Sequence, residues 1–313
     1  MMTLSELYSK IKNMLTAQFP DQKERGIVSR RIVGGLAGVS SDDCILHPDR
    51  CVEIDNAAVS NVIRRIHAHE PLEYIFNSAQ FLDIELYTNS NVLIPRPETE
   101  ELVLKILCDL QLRRGQGGGG ACPSAGHSIS LLDVGTGSGC IPVYLAAKFP
   151  DCEYHAVDVS DAALDTARRN AERHGCNIDF VKADILDYLD FKAFASPESD
   201  VCSILDSLRF DVIVSNPPYV LESEKSLMQP NVLDYEPNVA LFVPDGDPLR
   251  FYRAICNFAV SHMKKGGRLY FEINERFGAQ TAALMQSVGF EDVVVNKDLF
   301  GKDRFVSGSM PSI

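Results

Sequence analysis

The stretch LLDVGTGSGC, residues 131–140, decides how the rest of the chain is read. A short apolar run carrying one acid, Asp133, gives way to three glycines at alternate positions, Gly135, Gly137 and Gly139. Glycine lets a backbone turn tightly and approach a ligand with no Cβ in the way. An apolar, helix-like stretch, IPVYLAAKF, follows at once. Strand, glycine turn and helix in that order open an α/β unit that holds a ligand at the turn.

The texture outward from this turn is a repeated alternation of strand and helix. ISLLDV, EYHAV, IDFVK, FDVIVS and RLYFEI read as short buried strands. The segments IPVYLAAKF, AALDTARRNAERH, PLRFYRAICNFAVSHM and RFGAQTAALMQSV read as the helices between or after them. That alternation predicts a parallel sheet covered by helices. FEDVVVN and DRFVSG close the chain with too few residues between them for a crossover, so they are expected to pair as an antiparallel hairpin.

NAD, FAD and S-adenosylmethionine sites all use glycine-rich turns, so the turn alone does not choose a ligand. The spacing here is GxGxG, not the GxGxxG of dinucleotide enzymes. Asp133 lies just ahead of the turn, where a buried acid is costly unless it is hydrogen-bonded. Asp158 ends the next strand and Asp184 follows the third, with Ile185 beside it. Ligands in open α/β sheets sit outside the carboxyl ends of the strands. Asp158 can accept both hydroxyls of a ribose there, Asp184 can reach the adenine side, and Ile185 offers an apolar surface to the ring. Together these acids point to an adenosine-bearing cofactor.

The N-terminal part differs. Apolar residues recur at helical spacing in LSELYSKIKNML, RGIVSRRIVGGLAGV and AAVSNVIRRIHAH, with Asp55 placed as the N-cap of the third helix. AQFLDIELYTNSNVLIPRPETE then alternates around a polar break at Thr88–Asn91, which suits a β-hairpin or two short strands. Pro95 and Pro97 close it, and ETEELVLKILCDL begins a helix with acids in its first turn. Residues 113–128, RRGQGGGGACPSAGHS, read as an exposed loop, with no Lys-Ser or Lys-Thr behind the glycines to complete a phosphate loop.

Composition narrows the function. The 313 residues carry 45% hydrophobic and 23% charged side chains, an ordinary globular balance. The net charge of −13 lacks the basic footprint of a nucleic-acid binder. Nine scattered cysteines without a CxxC pair suit free thiols in a reducing cytoplasm, and no metal site is expected. No apolar run reaches the roughly 18 residues of a membrane span.

The fourth strand ends in VSNPPY, residues 214–219, on the same edge of the sheet as the glycine turn. Two adjacent prolines remove two backbone donors and stiffen the corner. With DVGTGSG and the acid after the second strand, NPPY resembles a class I S-adenosylmethionine-dependent methyltransferase that acts on a planar amide or amine nitrogen. LIPRPETEELV at 93–103, YEPNVALFVPDGDPLRFYRAI at 235–255 and DLFGKDRFVSG at 298–308 are similar to the HemK/PrmC family, the protein-glutamine methyltransferases of peptide chain release factors. The resemblance runs from about residue 25 to the C-terminus. The glycine-rich insertion is a departure that falls in a linker.

The resemblance implies a Rossmann-like, mostly parallel seven-stranded sheet with an antiparallel C-terminal hairpin, plus a small helical N-terminal domain. It divides the chain into a substrate-docking domain at 1–77, a β-hairpin linker at 78–97 and a catalytic domain at 98–313. The implied cofactor is S-adenosyl-L-methionine, leaving as S-adenosyl-L-homocysteine. It would be held by Asp133, Gly135, Thr136, Gly137, Ser138, Gly139, Asp158, Asp184, Ile185 and Asn216. Asn216, Pro217, Pro218 and Tyr219 are the implied catalytic set. The Asn216 side-chain oxygen and the Pro217 carbonyl would accept the two N–H groups of a glutamine amide, and Tyr219 would stack on it. The implied partner is a release factor carrying a Gly-Gly-Gln loop, met in the cytoplasm by a monomer, with no membrane and no direct nucleic-acid substrate. Arg96, Glu98 and Glu236 have no assigned role, and Glu272 reads as a buried structural acid. Glutamine methylation of a ribosomal protein and methylation of an adenine amine stay open. A binding module without catalysis leaves NPPY unexplained, and a dehydrogenase has the wrong loop spacing.

Overall fold

The computed structural model describes residues 1–115, 128–188, 205 and 207–312. The loop expected over 113–128 therefore lies outside the described residues except at its ends. The chain separates into two compact units, Met1–Ser78 with Gln229–Tyr235, and Ala79–Met228 with Glu236–Ile313.

The first unit is helical. Its long helices are Leu4–Met14, Gln22–Ala37 and Asn56–His67, and Met2–Thr3 (β1) pairs antiparallel with Cys51–Val52 (β2). Each helix starts at a side chain that satisfies a free backbone N–H. Thr3 and Glu6 form a reciprocal capping box, Asp21 accepts from Glu24 N, and Asp55 accepts from Ala57 N as expected. Leu4, Leu7, Ile11, Ile32, Val33, Val59, Ile63 and Ile66 recur at helical spacing and meet in one core. The unit also takes in the short helix Pro230–Leu233, more than 150 residues further along the chain; its neighbour Tyr235 donates its hydroxyl to Ala68 O at 2.6 Å.

The second unit opens on a hairpin of Ala79–Phe81 (β3) and Ile84–Leu86 (β4). The sequence expectation of a break at Thr88–Asn91 is corrected: the chain reverses at Leu82 and Asp83, before that polar run. Leu82 takes a left-handed φ of 51° at the turn, a conformation that apolar residues seldom signal. The main sheet then builds in the order β12-β13-β11-β8-β5-β6-β7. Its strands are Ser130–Val134 (β5), Glu153–Asp158 (β6), Asp179–Lys182 (β7), Phe210–Ser215 (β8), Met263–Glu272 (β11), Glu291–Lys297 (β12) and Asp303–Ser309 (β13). The neighbours from β11 through β8, β5 and β6 to β7 are parallel, and β13 pairs antiparallel with both β11 and β12. Two short strands, Val220–Leu221 (β9) and Phe242–Val243 (β10), pair in parallel beyond β8.

Alternation along the strands feeds two cores. Leu131, Val212, Val214 and Tyr270 pack with the helices Pro97–Gly115 and Cys140–Lys148. Leu132, Val134, Ile213, Leu269 and Phe271 pack with the helices Arg250–His262 and Gly278–Ser287. The sheet is thus covered on both faces, and β5 lies between β6 and β8. The chain builds from β5 outward to β6 and β7, then crosses back to β8 on the other side of β5, and this reversal opens a crevice at the carboxyl ends of β5 and β8. No helix among the described residues is long and apolar enough to cross a membrane.

Candidate active site

The turn after β5 is built by its glycines. Gly135, Gly137 and Gly139 have φ of 74°, 55° and 77°, a region that costs any other L-residue. A Cβ on Gly135 or Gly137 would meet nothing within 4 Å, so the space before the turn is open. On Gly139 it would lie 3.0 Å from Ala167 Cβ, so the third glycine serves helix packing instead. Gly135 N and Thr136 N donate to Val157 O at 2.9 and 3.0 Å, and Gly137 N donates to Asp158 Oδ2 at 2.9 Å. Asp158 Oδ1 accepts from Ser160 N at 2.9 Å. Burial raises the Asp158 carboxyl while these backbone bonds oppose the rise.

One cavity lies before this turn. Asn91, Val92, Leu93, Pro95, Arg96 and Thr99 line it from the segment ahead of the sheet. Gly135–Ser138, Cys140, Asp158 and Ser160 line it from the glycine side, and Asn216, Pro218, Val239 and Ala240 from the side of β8. Asp133 is fully buried next to the turn, and among the described residues neither of its oxygens has a hydrogen-bond partner. Burial pushes it up to about 7, an effect the nearby Thr136 hydroxyl opposes and the Asp158 charge reinforces. The Thr136 hydroxyl is itself buried with no hydrogen-bond partner among the described residues. Orphaned acceptors of this kind are rare and call for a ligand or water.

The corner after β8 is held from beneath. Ser215, fully buried, donates to Val134 O at 2.6 Å, which ties the end of β8 to the end of β5. Asn216 Nδ2 donates to Thr99 Oγ1 at 3.1 Å, and Thr99 in turn donates to Glu272 Oε2 at 2.7 Å. Tyr219 donates its hydroxyl to Glu272 Oε1 at 3.0 Å, and Asn274 Nδ2 donates to Tyr219 O at 3.2 Å. Glu272 is thus the hub of the corner. Its burial pushes it up to about 7, although Thr99, Tyr219 and Arg304 all favour its charged form.

The expected residues divide accordingly. The structure brings Gly135, Thr136, Gly137, Ser138, Asp158, Asn216 and Pro218 to one cavity, with Asp133 behind it. Asp184 is exposed and turns the chain by accepting from Leu186 N at 2.9 Å, and Ile185 packs into the core under the sheet. Neither these two nor Pro217 and Tyr219 line the cavity. Among the residues without a role, Glu236 is buried and binds Arg96 at 2.5 Å, and also accepts from Ile94 N at 3.3 Å. It thereby pins the cavity-lining segment in place.

Sequence reasoning passed over Thr99, the bridging role of Glu272, and Asn170. Asn170 is fully buried, donates to Ser138 O and Tyr87 O at 2.9 Å each, and accepts from Tyr87 N at 2.7 Å. The available signal was a lone Asn on the apolar side of DTARRNAERH. Thr99 had one too, as an uncharged residue amid the acids of PETEE, but nothing local distinguishes it from an ordinary helix-start residue.

The profile of a methyltransferase domain family matches residues 131–225, from β5 past the corner. The chain is similar to a release factor glutamine methyltransferase of Flavobacterium psychrophilum, 38% identical over 84% of this chain and 84% of that one. It is similar to the release factor glutamine methyltransferase of Bacteroides thetaiotaomicron, 36% identical over 98% of this chain and 100% of that one. A protein of the same description from Chlorobaculum tepidum is 40% identical over 76% of this chain and 74% of its own length.

Proposed function

The chain belongs to the release factor glutamine methyltransferase family, and from that premise we propose that it methylates the side-chain amide of the glutamine in the Gly-Gly-Gln loop of a peptide chain release factor. The observation that carries the reading is the single cavity in which the glycine turn, Asp158 and Asn216 converge. S-adenosyl-L-methionine, when bound, supplies a methyl group on a positively charged sulfur. The chain's donor set suits it. Asp133, whose two oxygens have no partner among the described residues, fits a cationic amino group; Asp158 retains lone pairs for a ribose diol; the open space before Gly135 and Gly137 admits close backbone approach.

The remaining chemistry belongs to the corner. A glutamine amide is a poor nucleophile because its lone pair is delocalised, and no side chain here is basic enough to remove its proton beforehand. Asn216 Oδ1, on the cavity, accepts one of its N–H groups. The carbonyl of Pro217, which lies outside the lining but between the lining residues Asn216 and Pro218, accepts the other as the loop enters. Both stabilise the positive charge that grows on nitrogen during methylation. Pro217 and Pro218 bring no competing donors and hold the carbonyl direction. Tyr219, with its hydroxyl on Glu272, braces the corner in place of stacking on the substrate. Arg96, held by Glu236, lines the same cavity. We assign docking of the release factor to the helical unit, and the active form to a single chain.

The test is transfer of labelled methyl from S-adenosyl-L-methionine to purified release factors, a ribosomal fraction and DNA. Label is expected in a release factor, absent when its Gly-Gly-Gln is changed to Gly-Gly-Ala. Asn216→Ala is expected to lower that transfer by about 10²-fold or more, the usual effect of removing one group aimed at developing charge. Label confined to DNA or to the ribosomal fraction would overturn the substrate; undiminished transfer by Asn216→Ala would overturn the mechanism.

A further inference from the structure

The acceptor role of Asn216 requires its amide to point one way, since a primary amide offers an acceptor on one side and donors on the other. The hydrogen-bond chain beneath the corner determines which. Thr99 has one hydroxyl hydrogen, and it goes to Glu272 Oε2 at 2.7 Å. Toward Asn216, 3.1 Å away, Thr99 can therefore only accept, so Nδ2 must face Thr99 and Oδ1 is left for the cavity. The second Glu272 oxygen accepts from Tyr219 at 3.0 Å, so both sides of this carboxyl act as acceptors.

We propose that Glu272 and Thr99 are positioning residues that set the polarity of Asn216, and that an ionised Glu272 is the condition for a substrate-accepting amide. This rests on the glutamine-methylating reading above. A proton on Oε2 would be donated to Thr99. The Thr99 hydrogen would then turn to Asn216, whose amide would have to rotate to accept it and present Nδ2 to the substrate. Two sets of N–H donors would face each other, and the substrate amide would be repelled. A proton on Oε1 would instead strand the Tyr219 hydroxyl hydrogen, whose only hydrogen-bond acceptor among the described residues is Glu272. Protonation therefore falls on the side of Thr99, where an alternative acceptor exists.

The surroundings put this equilibrium near neutrality. Glu98, Thr99 and Cys140 face Glu272 from the helices on one side, Tyr219 from the corner, Tyr252 from the helix Arg250–His262, and Arg304 from β13. Tyr252 spends its hydroxyl on the Glu272 backbone carbonyl at 3.2 Å, and Arg304 binds Asp298 through Nε at 3.3 Å. Among the described residues no cation pairs with the Glu272 carboxyl, and burial pushes it up to about 7.

Thr99→Val keeps the shape and removes the hydroxyl; Thr99→Ser keeps the hydroxyl. At saturating cofactor, the wild-type kcat/KM for a release factor is expected to rise with pH through about 7, as Glu272 ionises. Thr99→Val is expected to lower kcat/KM about ten- to a hundredfold and to abolish that acid limb, with cofactor affinity changed less than about twofold. Thr99→Ser should restore both the rate and the limb. A second readout needs no substrate: the Asn216 side-chain NH₂ signals in a ¹⁵N-labelled chain should titrate with the same midpoint, and stop doing so in Thr99→Val. If the wild-type chain transfers no methyl to any release factor, the functional reading fails while the NMR titration still decides the relay. An Asn216 signal that ignores pH in wild type, or an acid limb that persists in Thr99→Val, would overturn the proposal.

Discussion

The two halves of the cavity are built by different means. On the side of β5 and β6 the lining groups are largely the backbone of a turn, shaped by glycines with positive φ and tied to Asp158. On the side of β8 they are side chains, and their polarity comes from Glu272, 56 residues further along the chain from Asn216, through Thr99, 117 residues before it. A backbone turn is specified by the residues that form it, because φ is a local property. A side-chain amide is specified by whatever hydrogen-bonds to it, because it rotates freely until something holds it.

That contrast can be broken experimentally, beginning with its strongest link. Asn170 joins the glycine turn to Tyr87 and leaves three backbone groups unpaired if it is lost. Asn170→Ala is expected to cost about 2–4 kcal/mol of folding stability, since each stranded buried group carries its own penalty; urea unfolding followed by circular dichroism measures it. A loss below about 1 kcal/mol would mean that water replaces the side chain.

Gly137→Val confines the damage to the cofactor side. A β-branched residue at φ 55° is strained, by roughly 1–3 kcal/mol, and its amide would have to leave Asp158. Cofactor affinity by calorimetry should fall about 10- to 100-fold. The pH titration of the Asn216 amide should be unchanged, because the relay beneath the corner does not pass through this turn. Coupled changes in both readouts would show that the two halves are one mechanical unit.

The smallest expected effect concerns Asp133. Burial raises its carboxyl from 3.8 to about 7, so the folded chain holds that proton more tightly than the unfolded chain. The resulting stability is complete below the unfolded value and is lost as pH rises through about 7. Asp133→Asn should remove part of that slope, with Glu272, raised in the same direction, supplying the rest. If Asp133 meets a cationic amino group, cofactor binding by the wild-type chain should tighten as pH rises through the same range, and Asp133→Asn should bind about tenfold more weakly at about pH 8. A binding constant indifferent to pH would separate Asp133 from the cofactor.

Much of the fold was legible because its signals are local. The strand–helix alternation from Ile129 to Met310 anticipated the seven-stranded sheet, and the short connection before Asp303 anticipated the antiparallel hairpin. Asp55 was read as a cap and caps. The turn at Leu82 was missed because no Gly or Asn marks it, and the hairpin was centred on the polar residues that follow. In the site, Asp158 and the glycines were legible as strand-end residues of a known geometry. Asp184 occupies its expected strand end yet turns its carboxylate to Leu186 N, a choice that only the local path of the chain makes.

The sequence by itself determined that three glycines, an acid and an Asn-Pro-Pro-Tyr corner stand at the ends of neighbouring strands, since periodicity and turn chemistry act over a few residues. Tertiary structure alone decided which way Asn216 points, what Tyr219 holds and why Glu272 is buried. Those outcomes depend on Thr99 and Glu272 meeting at 2.7 Å from positions 173 residues apart. No local pattern encodes such a meeting; packing of the helix at Pro97–Gly115 against the sheet creates it.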